Sequence, residues 1–218
     1  MNRRALLASP ISSLDTSREG GDKGPTTATK PKKSGPRAKY FPNVVLRTHE
    51  NKEVRFYDDL IHDKVVVINM MYADCEGVCP AMTRNLVKVQ ELLGDRVGRD
   101  IFMYSITLKP EKDTPGALKE YARMHGVKPG WLFLTGKPAD IELLRRKLGF
   151  VDPDPALDKD TSQHIGVVRI GNEWLDSWSA TPVLRQPRDI VQSILWMAVP
   201  RPRNGSRQEA KPRGEPKK

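Results

Sequence analysis

The stretch 64–70, KVVVINM, constrains the fold of this 218-residue chain more than any other. Its β-branched and apolar residues show no inside–outside alternation, so it reads as a strand covered on both faces. A polar loop follows, 70–80 (MMYADCEGVCP). Beyond it Met82, Leu86, Val89 and Leu93 recur at helical spacing, and Gly94 stops the run. The spacing predicts a helix over 80–93 with one apolar face.

The same grammar continues downstream. A second buried strand is expected over 101–108 (IFMYSITL). Thr114-Pro115 then caps and opens a helix whose inner face is Leu118, Tyr121, Ala122 and His125, ending at Gly126. A third strand falls at 131–134. Lys137-Pro138 begins a helix carrying Ile141, Leu144 and Leu148. A fourth strand is expected over 165–170, with a turn at Gly171-Asn172 and an antiparallel partner over 174–178. Gln186-Pro187 opens a last helix to about 198. Ahead of all this, 44–48 and 53–57 flank the turn 49–52 as two short strands. The alternation gives an α/β fold of parallel βαβ units closed by an antiparallel edge, ending in a hairpin and a helix. The four tryptophans, 131, 174, 178 and 196, read as core and edge packing.

Charge separates the ends from the middle. The chain carries net +10 with a pI near 9.7. Residues 1–40 hold 9 basic and 3 acidic side chains, and 200–218 hold 7 and 2, leaving 21 and 22 in 41–199. A nearly neutral 41–199 lacks the basic stripe that a nucleic-acid-reading domain carries on its fold, so no specific nucleic-acid binding is expected. Three parts result: a disordered basic N-terminal segment, 1–40; a domain, 41–199; and a disordered basic tail, 200–218, with the ends free to touch anionic surfaces. Residues 1–8, MNRRALLA, open like a twin-arginine export signal but meet Ser9-Pro10 instead of a 7–15-residue apolar stretch, so no complete signal is read. Nor is there a run of about 20 apolar residues to span a bilayer.

The chemistry concentrates in two cysteines, the only two in the chain, Cys75 and Cys79. They lie between a buried parallel strand and a helix N-terminus, where open α/β sheets place their sites. Pro80 in the first helical turn sets Cys79 at or beside the N-cap, where dipole and free amides stabilise a thiolate. A reversible disulfide, a metal clamp and mere packing all remain open uses. Asp74 and Glu76 oppose thiolate formation, which counts against a fast redox nucleophile and favours a cation. Soft thiolates select Cu(I), zinc also accepts them, and an added imidazole accommodates Cu(II). Of the four histidines, His49 and His62 fall on polar connections and are expected in solvent. His125 ends a helix, and His164 lies in a polar loop just before a strand, where its imidazole is a candidate ligand.

At these residues the chain resembles the SCO/SenC family of thioredoxin-fold copper proteins, over roughly 43–197. The resemblance rests on Cys75-x3-Cys79-Pro80 after a buried strand and on 110–115 (PEKDTP) after the next one. It is completed by Leu134-Thr135-Gly136 ahead of Pro138-Ala139-Asp140-Ile141, and by His164 before a strand. It implies a thioredoxin-like mixed sheet flanked by helices, with Cys75, Cys79 and His164 holding one copper, Cu(I) or Cu(II), per chain. It implies a metallochaperone-like monomer, not a classical enzyme, that delivers copper to, or prepares, the binuclear copper site of cytochrome c oxidase. The partner is the copper-bearing subunit or another copper/thiol protein, in the periplasm or at a membrane. The alternative is a thiol–disulfide oxidoreductase cycling Cys75 and Cys79.

Overall fold

A computed structural model describes residues 34–75, 77–159 and 166–199. Seven strands form one mixed sheet: β1 (Val45–Thr48), β2 (Glu53–Arg55), β3 (Val65–Met71), β4 (Ile101–Thr107), β5 (Trp131–Gly136), β6 (Val167–Asn172) and β7 (Ser177–Pro182), in the order β2-β1-β5-β4-β3-β6-β7. Strands β3, β4 and β5 are parallel, in register from Val65↔Ile101 to Met71↔Thr107 and from Met103↔Trp131 to Ile106↔Leu134. An antiparallel hairpin flanks the parallel core on each side: β1–β2 joins β5, and β6–β7 joins β3. The expected single antiparallel edge is therefore two.

All seven residues of β3 are buried, as an uninterrupted apolar run in mid-sheet requires. Its one amide side chain is used: Asn69 Oδ1 accepts from Ser105 Oγ (2.7 Å), and Ser105 Oγ accepts from Trp131 Nε1 (2.9 Å). Five helices complete the fold: α1 (Cys79–Leu93), α2 (Pro115–Met124), α3 (Pro138–Lys147), the single turn α4 (Pro155–Asp158) and α5 (Pro187–Met197). Helix α1 buries Met82, Leu86, Val89 and Leu93, and Gly94 ends it at φ +55°. Thr114 caps α2 by accepting from the Ala117 amide at 3.2 Å. Thr83 of α1 meets the Tyr121 hydroxyl of α2 at 2.8 Å, which ties together the helices flanking β4. Among the described residues no helix is long and apolar enough to cross a membrane.

Several expectations need correction, each for a long-range reason. The strand over 53–57 stops at Arg55, and Phe56–Ile61 forms a π-helical turn instead. That turn buries Phe56, Tyr57, Leu60 and Ile61 together, and Asn43 Oδ1 accepts from the Tyr57 and Asp58 amides at its start. The turn placed at Gly171-Asn172 lies further on, with Asp176 at φ +52°, because β6 runs through Asn172. Asn172 Nδ2 donates to the Met197 carbonyl (2.8 Å). The buried Glu173 carboxylate accepts from the Tyr57 hydroxyl (2.6 Å) and the Asp63 amide (3.1 Å). Trp131 is core, whereas Trp196 is 75% exposed and packs little.

The packed region also begins before residue 41. Ahead of Phe41, which is core, the Tyr40 hydroxyl donates to the Lys147 carbonyl at 2.9 Å and Arg37 pairs with Asp176. Truncating a large buried aromatic costs about 3–5 kcal/mol. A chain of residues 42–199 is therefore expected to melt well below one of residues 34–199, by roughly 6–15 °C for a domain of this size. Equal melting temperatures in parallel calorimetric scans would remove this segment from the core.

Candidate functional site

Strand β3 ends at Met71 and hands the chain to Tyr72-Ala73-Asp74-Cys75, and α1 opens on Cys79, with Val78 as its N-cap. Glu76 lies outside the described residues. Both cysteines are free thiols; Cys75 is 8% exposed and Cys79 fully buried. Each thiol shifts the titration of the other, which places the two within interaction range. The two residues expected to act together are thus brought together.

Their electrostatics differ from the expectation. Cys79 was expected to carry the stabilised thiolate, yet burial and the neighbouring Cys75 thiol push it up to about 12. At Cys75 burial opposes ionisation, but the Cys79 thiol, the Tyr72 hydroxyl and the Cys79 and Gly77 amides together outweigh it, leaving that thiol below its ordinary value. The helix N-terminus therefore serves the cysteine that precedes it. Donating to Cys75, together with burial, holds the Tyr72 phenol well above its usual range.

The carboxylate expected to discourage a thiolate is occupied. Asp74 pairs with Lys112 Nζ (3.2 Å) and Lys109 Nζ (3.4 Å), which hold it below the usual carboxylate range. Lys109 also sits 3.8 Å from the centre of the Tyr72 ring, in cation–π geometry. Sequence reasoning gave no role to Asp113, although its motif was noticed. This carboxylate is 2% exposed; its Oδ2 accepts from the Ala73 amide (3.1 Å) and from the Thr107 hydroxyl, tying the thiol loop to the end of β4. Burial pushes its carboxyl above the ordinary range.

The histidines divide differently. His49 is not solvated: its Nδ1 accepts from the Phe133 amide at 3.1 Å and burial lowers its basicity. His62 is also half-buried, with Nε2 3.0 Å from the Ser34 carbonyl. The His125 ring meets that of Tyr121 at a tilt, centroids 4.3 Å apart, and burial, with Arg84 nearby, lowers its basicity. His164, the candidate third ligand, lies outside the described residues. Among the described residues no three His, Cys, Asp or Glu side chains gather as a metal-ligand group. Two soft sulfurs on one short loop suit Cu(I), and an imidazole that joins them for Cu(II) has to come from outside the described residues.

Cys75 is the less deeply buried of the two and its thiol is the lowered one, and both features single it out. Iodoacetamide is therefore expected to label Cys75 before Cys79 in the reduced, metal-free chain, with a rate that rises with pH below the ordinary thiol range near 8.5. Peptide mapping after short exposure checks the order. Equal labelling would mean that the loop opens faster than it reacts.

A mixed sheet whose central parallel strand leads through a paired-thiol loop into a helix defines a thioredoxin-like dithiol protein. The model of the family described as SCO1/SenC matches residues 45–195, and the chain belongs to that family. A SCO2-like protein of Rickettsia conorii is 30% identical over 93 residues, which is 43% of this chain and 43% of that protein. The match therefore spans less than half the length of that relative. Among solved structures, yeast Sco1 with copper bound superposes with TM-score 0.55 at 19% identity, covering 72% of this chain and 92% of that one. BsSco, described as a member of the Sco family of cytochrome c oxidase assembly proteins with a disulfide switch, gives 0.57 at 21% identity, covering 71% and 91%.

Proposed function

We propose that the chain carries one copper ion as cargo on Cys75, Cys79 and His164, and delivers it to, or prepares the thiols of, the binuclear copper site of cytochrome c oxidase. The observation that carries this is the pair of free thiols brought together at the end of the central strand, in a chain of the SCO1/SenC family. Two sulfurs suffice for Cu(I), and an imidazole extends the set to Cu(II). A Cys75 nearer the surface than the fully buried Cys79 suits transfer by ligand exchange, with the outer sulfur released first. The compartment that goes with this reading is the periplasm or a membrane surface.

A second reading has an observation of its own. Lys109 and Lys112 neutralise Asp74, which removes one objection to thiolate chemistry. The dithiol can then reduce a partner disulfide, giving up two electrons and two protons as Cys75–Cys79 closes. That disulfide also withdraws both sulfurs from copper, so one loop serves both readings as a redox gate.

Anaerobic Cu(I) and aerobic Cu(II) titrations of the reduced full chain, beside His164→Ala, test the first reading. One copper per chain is expected, with a visible thiolate-to-Cu(II) charge-transfer band. In His164→Ala that band is lost while Cu(I) binding weakens less. No stoichiometric copper, with thiols that exchange freely against a glutathione buffer, would favour the oxidoreductase.

A further inference from the structure

A cavity of about 220 Å³ shares no lining residue with the thiol loop. Its wall holds three cations, Arg37, Lys147 and Arg169, and three aromatic rings, Tyr40, Phe41 and Trp178, and no carboxylate lines it. The rings form a continuous set: Tyr40 meets Phe41 edge-on at 5.0 Å, and Phe41 meets Trp178 at 4.9 Å. Arg37 and Lys147 both lie over the Tyr40 ring, at 5.2 and 4.9 Å.

Two glycines let the Trp178 ring and the Arg169 guanidinium lie where they do. A Cβ on Gly171 would fall 2.4 Å from the Trp178 ring, and one on Gly149, at φ +74°, would fall 2.7 Å from the Arg169 guanidinium. Neither ring nor guanidinium could keep its place with a larger residue there.

The polar atoms say what is missing. Arg169 Nε and Trp178 Nε1 are both buried and both lack a hydrogen-bond partner. Each can only donate, so their complement is an acceptor. The carbonyls at the end of α3 do not supply it: Gly149 O is taken by the terminal nitrogen of Arg169, and Lys147 O by Tyr40. Asp176 engages Arg37 and is the one carboxylate paired with these cations among the described residues. Orphaned donors and uncompensated charge ask for an anion, and the aromatic walls ask for a flat apolar body.

We propose that this cavity binds a small aromatic carboxylate, with its ring among Tyr40, Phe41 and Trp178 and its carboxylate paired with Lys147 and with the Arg169 and Trp178 donors. The site is independent of the copper reading. It is tested by titrating the full chain with benzoate, followed by calorimetry and indole fluorescence. Acetate (same charge, no ring) and benzylammonium (same ring, opposite charge) serve as controls, the first also reporting loose anion binding by the basic ends. One saturable benzoate site is expected, unchanged in the Cys75→Ser/Cys79→Ser double variant. Losing one charge-assisted contact should weaken it about tenfold in Arg169→Gln and in Lys147→Gln. The half-exposed Lys147 keeps the test valid if Arg169→Gln fails to fold. Absence of saturable binding, acetate binding as tightly as benzoate, or indifference to Lys147→Gln would each overturn the proposal.

Discussion

Copper binding is expected to disappear in Cys75→Ser and in Cys79→Ser alike, while the two variants part company in stability. A serine hydroxyl is a hard, neutral ligand at neutral pH and does not replace a thiolate for Cu(I). Losing either sulfur leaves a single soft donor, too few to compete with an external chelator. Cys75 is 8% exposed, at the rim of the core, so its serine lies nearer solvent than one at Cys79 and should lower the melting temperature less. Cys79 is fully buried beside Cys75, and its hydroxyl has to find a partner within the core. That substitution should cost about 1 kcal/mol if a neighbour satisfies it, and more if none does. Competition against a chromophoric Cu(I) chelator, with melting curves beside it, reads both effects. Nanomolar Cu(I) retained by the double serine variant would place the copper elsewhere on the chain.

What could be read from the sequence was local, and what could not was set by distant partners. The central strand was legible because burial on both faces imprints an uninterrupted apolar run. Helix α1 was legible because its buried face repeats at 3.6-residue spacing. The hairpin turn was misplaced since Asn172 and Glu173 look like turn residues until Met197 and Tyr57, 25 and 116 positions away, become their partners. His49 looked solvated for the same reason: the amide it accepts from is 84 residues downstream. At the site, both cysteines were visible from spacing alone, but their order of acidity was not. Neighbouring carboxylates can be counted in sequence; the lysines that cancel Asp74 stand 35 and 38 positions further on. Asp113 lay within a motif that was noticed, yet its role exists only because β3 and β4 end side by side at Met71↔Thr107.

That brace carries the second large effect. Asp113→Ala is expected to destabilise the chain by about 2–4 kcal/mol, since it strands the buried Thr107 hydroxyl and the Ala73 amide together. For a domain of this size that is a fall of roughly 5–15 °C in melting temperature. The loop should loosen as well, and Cys75 should then alkylate faster than in the parent at the same pH. Asp113→Asn keeps an oxygen able to accept from both donors and should lose far less. The two variants also separate the geometry of the side chain from its charge. Burial raises the Asp113 carboxyl above its unfolded value, so its protonated form is the one that folding favours. Its contribution to stability is therefore fully present below the ordinary carboxylate range, near 4, and is lost as pH rises through the raised folded value. Relative to the parent, Asp113→Asn should thus do worst in acid and gain ground as pH rises towards neutrality. Melting curves of the three proteins between about pH 4 and pH 7.5 decide it. If Asp113→Asn instead loses ground with rising pH, the ionised carboxylate is the form that holds the loop, and burial is not what governs its titration.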